Sequence, residues 1–197
     1  MSVRMVELNC PGCGARVAID QKTCDWCHKP LIISTFQSVY DMPMKEVNSY
    51  KNFYQQALAE EPKDKTFNKS VAMCYLKLGL YKEGQRSFEK AIEDNFDDAD
   101  IYLYAAVCLL EGKRPYMVAR QIVDKAIRYL DAALMIEPKG IFYHFRAYLK
   151  YDYYEMKRLR ITPGFMDDWK QAGMMGVSEA DKHQLFEILK VQRPQGF

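Results

Sequence analysis

The amino-acid sequence predicts a mainly α-helical chain, an α-solenoid of stacked antiparallel helix pairs, with a small β module at its front. Three observations predict it. From about Met44 onward apolar residues recur at spacings of three and four, the stripe of amphipathic helices. Within that region one pattern returns: a large apolar residue, an alanine three positions later, then another apolar residue. Before Met44 the character changes to short apolar runs set around two close cysteine pairs.

The front module rests on Cys10-Pro11-Gly12-Cys13 and Cys24-Asp25-Trp26-Cys27, with ten residues separating the pairs. Two residues between cysteines let a tight turn aim both sulfurs at one point. A tetrahedron of four thiolates suits zinc, which has no geometric preference of its own and lowers the thiol pKa so that the ligands bind deprotonated. Cys10, Cys13, Cys24 and Cys27 are therefore assigned as ligands of one structural Zn2+. Two rival readings are a redox dithiol and a pair of disulfides. A redox CxxC opens a helix after a strand in a larger fold, and nothing around these pairs supplies that frame. His28 adjoins Cys27 but reads as a surface residue, because four thiolates close the site and leave no position for water or substrate. Gly14 stands where the turn calls for a positive φ. Residues 15–19 are expected as a short strand, Asp20-Gln21-Lys22 as the return, and Leu31-Ile32-Ile33 as a second strand. Over residues 7–34 the segment resembles the zinc-ribbon class, two short hairpins around a metal. So short a segment cannot bury enough apolar surface to fold alone, and the metal is expected to supply the missing folding energy.

The helical region carries its repeat at Tyr54-Gln55-Gln56-Ala57-Leu58, Phe88-Glu89-Lys90-Ala91-Ile92 and Leu130-Asp131-Ala132-Ala133-Leu134, with a weaker echo at Trp169-Lys170-Gln171-Ala172. The alanines are separated by steps of 34, 42 and 39 residues. A period of 34 residues, lengthened later in the chain, together with Tyr75-Leu76-Lys77-Leu78-Gly79-Leu80-Tyr81 followed by Phe88 and Ala91, resembles the tetratricopeptide repeat (TPR). The repeat at 65–98 matches best, though Gly84, Asn68 and Phe96 depart from the family pattern. The resemblance implies helix pairs that bury their apolar faces only by stacking on neighbours. Helices are expected at 44–60, 65–78, 82–94, 99–111, 116–136, 141–158, 164–174 and 178–190. Gly112-Lys113-Arg114-Pro115 marks an insertion, and Ser178 is the N-cap of a final capping helix. The expected division is a zinc ribbon at 1–35, an apolar connector at 36–44 and the helical repeats at 45–197. Phe36, Val39, Tyr40 and Met42 make that connector too apolar for a free tether, so it is expected to dock the ribbon on the first helix.

Hydrophobic residues make up 49% of the chain, enough for a core, and 28 basic against 26 acidic residues leave a net charge of +2. That balance lacks the basic excess of a dedicated nucleic-acid binder. The opening MSVRMVELN carries no apolar run of signal-peptide length, and no stretch elsewhere could span a bilayer. The expected setting is therefore cytoplasmic, with no membrane partner. No Ser/His/Asp arrangement, HExxH or phosphate-cradling glycine loop is visible, so no enzyme is expected. Cys74 and Cys108 lie 34 residues apart, at equivalent repeat positions, and read as small core residues.

The TPR resemblance implies an inner surface drawn from the first helix of each repeat. It places Lys69, Met73, Leu76 and Lys77 there, then Leu103, Val107 and Leu110, then Tyr148, Tyr151 and Asp152. Two outcomes are open for this surface: a groove for a protein or peptide partner, or burial under the chain's own extra elements. Met73 stands where a carboxylate-binding asparagine would be needed, which argues against that chaperone-type clamp. The basic aromatic run Lys150 to Arg160 admits nucleic-acid stacking, but helical packing of its tyrosines accounts for it more simply. The leading functional reading is a protein-interaction adaptor or scaffold. Its alternative is a nucleic-acid-associated factor whose ribbon touches DNA or RNA through Arg16, Lys22 and Lys29.

Overall fold

A computed structural model describes residues 7–94 and 96–197. Residues 1–6 of the expected ribbon lie outside the described residues. The chain divides into two compact units, 1–95 and 96–197.

In the first unit, β1 (Glu7–Asn9) pairs antiparallel with β2 (Arg16–Ala18), with Leu8 opposite Val17. Two turns of the same construction carry the cysteines. Gly14 N donates to Cys10 O at 2.9 Å and Cys10 N to Ala15 O at 2.8 Å; His28 N donates to Cys24 O at 2.9 Å and Cys24 N to Lys29 O at 3.0 Å. The fifth residue of each turn is left-handed, Gly14 at φ 78° and His28 at φ 55°. Glycine takes that conformation without cost; His28 serves as its counterpart in the second turn.

The second strand expected at Leu31-Ile32-Ile33 does not form; a single bridge joins Thr23 to Pro30. The backbone there is spent on helices instead. Tyr50 Oη donates to Pro30 O at 2.8 Å, Tyr54 Oη to Leu31 O at 2.9 Å, and Ser70 Oγ to Ile33 O at 2.9 Å. Leu31, Ile33, Phe36 and Val39 are all buried. The connector coils into a short helix, α1 (Gln37–Tyr40), which packs on α3 (Lys65–Leu78).

α2 (Met44–Glu60) buries Val47, Tyr50, Phe53, Tyr54 and Ala57, one stripe at helical spacing. α3 starts where the Asp64 carboxylate accepts from Phe67 N at 2.7 Å and stops at Gly79, φ 75°. α4 (Tyr81–Asp94) packs on α3 and buries Phe88 and Ala91, the repeat's signature pair.

In the second unit, α5 (Ala99–Leu110) pairs with α6 (Arg120–Ile136), and α7 (Gly140–Lys150) with α8 (Phe165–Met174). α9 (Glu179–Leu189) lies on α5 and α7, and Ser178 Oγ accepts from Asp181 N at 3.1 Å as its N-cap. Two helices depart from expectation, one ending early and one starting late, and a single link joins the two places. α7 widens after Lys150 into a π-helical turn, Tyr151–Glu155, with Met156 N donating to Tyr151 O. That turn buries Asp152, whose carboxylate accepts from the Arg114 guanidinium and from Tyr116 N. The link holds Pro115–Met117 as a separate 3-10 turn, so α6 begins at Arg120 rather than 116. Cys74 and Cys108 are both buried, and desolvation pushes both thiols up, Cys74 to about 12. Among the described residues no helix is long and apolar enough to cross a membrane.

Candidate metal centre and helical surfaces

The two cysteine turns bring four sulfurs together. All four Sγ atoms lie within 4.8 Å of one another, with Cys10 to Cys27 and Cys13 to Cys24 both 3.7 Å. A tetrahedral ion with zinc–sulfur bonds near 2.3 Å sets its sulfurs about 3.8 Å apart. A disulfide would bring them to about 2.0 Å. The separations thus fit a shared ion and exclude paired bonds. Gly12 N donates to Cys10 Sγ at 3.4 Å. A Cβ on Gly12 would stand 3.3 Å from Cys27 Sγ and 2.8 Å from Lys29 Cδ, so a larger residue would press on a ligand sulfur and displace the lysine chain. The Cys24 thiol is lowered to about 7, first by the backbone N–H of Cys27 and then by that of Trp26, against its burial. The neighbouring His28 is exposed and lies outside the four-cysteine group. This centre can hold a divalent ion and leaves no ligand position for a substrate.

The residues expected on the helical inner surface divide by burial. Met73 and Leu76 on α3, Leu103, Val107 and Leu110 on α5, and Tyr148 on α7 are buried; Lys69, Lys77 and Tyr151 are half-buried. The chain's own elements cover these faces. In the first unit Lys77 Nζ donates to Tyr40 O and lies 4.7 Å from the Tyr40 ring centre. In the second, Tyr148 meets Phe186 of α9 at 4.9 Å between centroids, and Tyr151 meets Phe197 at 4.9 Å. Lys77 is thus engaged by the connector, and Tyr148 and Tyr151 by α9 and the segment after it.

Two lysines of the basic aromatic run are committed internally. Lys150 is 3% exposed and pairs with Asp168 at 2.7 Å; Lys157 lies over the Tyr153 ring at 3.9 Å. Lys29 of the ribbon pairs with Glu46 at 2.5 Å.

Two features were missed in the sequence. One is the buried charge network of Arg146, Lys150 and Asp168, whose only sequence trace is the i,i+4 spacing of the two cations on one helix face. The other is an aromatic pocket on α7 and α8 in which His144 is 1% exposed. Burial first, then the positive charges of Lys182 and Arg193, push His144 down to about 4, against the pull of Glu179. His144 is therefore neutral when folded at neutral pH, whereas an unfolded histidine titrates near 6.5. As pH falls from about 6.5 toward 4 the unfolded chain binds a proton that the folded chain refuses. Stability attributable to this group is full above that window and declines through it, by about 3 kcal/mol at its lower end. Urea midpoints at pH 7.5 and 4.5 for the parent and H144F check this: the variant should lose part of the acid sensitivity, and equal pH slopes would clear His144 of the role.

No family model matches the chain, and no curated protein matches it. Solved structures do. MamA (AMB-1) aligns at a TM-score of 0.53 with 16% identity, over 72% of this chain and 85% of that one. TTC0263, a thermophilic TPR protein of Thermus thermophilus, aligns at 0.54 with 16% identity, over 78% of this chain and 77% of that one. The fold is TPR-like. At this identity the likeness concerns the fold alone.

Proposed function

We propose that this protein is a protein-interaction scaffold: a TPR-like array that holds a protein or peptide partner, with one structural Zn2+ building the ribbon on its first helices. The observation that carries the reading is the pairing of a repeat fold with a closed four-thiol centre, a combination that builds surfaces and offers no reacting atom. On this reading residues 1–35 form the ribbon, 36–44 the docking connector and 45–197 the binding array. Among the assigned positions, Lys69, Lys77 and Tyr151 keep part of their side chains exposed. Met73, Leu76, Leu103, Val107, Leu110 and Tyr148 are buried. The nucleic-acid alternative gains nothing from Lys29 or Lys150, whose charges are paired within the fold.

Affinity capture from the native host with the intact chain tests the proposal. It should return a reproducible protein partner whose binding weakens on the order of tenfold with K69E or Y151A, a loss of about 1.4 kcal/mol. A chain that captures nothing, or captures nucleic acid with an affinity that falls steeply with salt, would sink it.

A further inference from the structure

The pocket on α7 and α8 is filled by the segment that follows α9. Lys190 ends α9 in a left-handed conformation, φ 54°, and the chain turns back. Phe197 N donates to Pro194 O at 3.1 Å, closing a tight turn with Gly196 at φ 88°. That is the turn geometry that needs glycine at its third position. The turn presents the Phe197 ring to four others: Trp169 at 4.5 Å, Tyr151 at 4.9 Å, His144 at 5.8 Å and Tyr148 at 5.9 Å between centroids. Phe197 is 6% exposed. Arg193 ties the turn down, donating from Nε to Phe197 O and from Nη1 to Glu179 at 2.8 Å.

Three observations separate this from ordinary core packing. The segment's backbone bonds, Val191 N to Phe186 O and Phe197 N to Pro194 O, are local, and the Phe197 ring and Arg193 tie it to the helices. The pocket wall includes Tyr148 and Tyr151, two positions expected from sequence on the partner-binding face. And one wall atom, His144 Nε2, is buried with no hydrogen-bond partner among the described residues. An unpartnered buried polar atom costs about 1–3 kcal/mol, so Phe197 leaves the pocket incompletely satisfied.

We propose that residues 191–197 are a self-ligand. They occupy a peptide pocket on the third helix pair, and a partner segment that presents an aromatic residue on a tight turn displaces them. The proposal rests on the scaffold reading, but its test uses only this chain and a synthetic peptide. It can therefore fail while partner capture succeeds, and the reverse.

The chain has two tryptophans, and Trp26 lies exposed in the ribbon. A W26F background thus makes Trp169 a private reporter of the pocket. In that background F197A empties the pocket. A peptide with the sequence of residues 191–197 should shift Trp169 emission in W26F/F197A at a concentration at least tenfold lower than in W26F alone. The same peptide with alanine for its phenylalanine should do nothing. A second variant, W26F/R193E, keeps the ring but releases the tether, and should bind the peptide at least threefold more tightly than W26F. Folded variants that bind no better than W26F overturn the proposal, as does equal binding of the alanine peptide. Loss of helical circular dichroism in both variants would make the segment a strap of the fold and overturn it too.

Discussion

Removing the metal should unfold the ribbon and strip the first helices of their cover. The purified chain is expected to hold one zinc per molecule by elemental analysis, and C24S is expected to hold none. The size of the effect follows from what the metal organises. Apparent zinc-binding energies of small zinc modules run to about 10–16 kcal/mol, an upper limit for a module that also leans on helices. The lower limit comes from packing: Leu31, Ile33, Phe36 and Val39 are each at most 1% exposed, and burying such a side chain is worth roughly 1.5–3 kcal/mol. Losing even two of them costs about 3 kcal/mol or more, which for a unit of this size lowers the melting temperature by more than about 10 °C. Chelation should reproduce the drop, and added zinc should reverse it for the parent but not for C24S. H28A should keep its zinc and its melting temperature within a few degrees, because His28 is exposed and outside the sulfur cluster. A chain that purifies without zinc, or melts alike with and without chelator, removes the metal from the account.

The parts of this fold that were legible in the sequence are those set by short-range rules. The cysteine spacing dictates two identical turns, because a thiolate pair needs one turn geometry whatever surrounds it. The helices at 44–60 and 65–78 begin and end where expected because Pro43, Asp64 and Gly79 are local stop and start signals. The illegible parts depend on distant partners. Leu31-Ile32-Ile33 has the composition of a strand, yet Tyr50, Tyr54 and Ser70 take carbonyls of this stretch, and they come from 20 to 37 residues away in the chain. The break after Lys150 is invisible locally, since nothing in YDYYE forbids an α-helix; Asp152 and Arg114, 38 residues apart, account for the buried carboxylate at that turn. The sequence left the inner surface open between exposure and burial for the same reason. Periodicity says which residues share a face, but not whether a connector helix or a returning segment will lie on it.

The buried charge network makes the sharpest demand on the second unit. D168A is expected to cost about 3–5 kcal/mol, the range for breaking a buried ion pair by removing one partner. Asp168 is 2% exposed and serves two cations at once, Arg146 at 2.5 Å and Lys150 at 2.7 Å. Lys150, itself 3% exposed, would lose its carboxylate partner. Arg146 would keep Asp131, half-exposed at 2.5 Å, so its loss is partial. Hence D131A should cost less than about 1 kcal/mol, as rim pairs do, although it removes a bond of the same length. The informative comparison is a third chain, D168L combined with R146M and K150M. Cost in D168A arises mainly from stranded charge, and apolar replacement of a whole buried network is often neutral or stabilising. The triple variant should therefore melt well above D168A. If it melts as low, the network's value lies in its hydrogen-bond geometry and packing rather than in charge balance. Such a result would mean that α7 and α8 are aligned by these three side chains, which no apolar trio of similar volume can imitate.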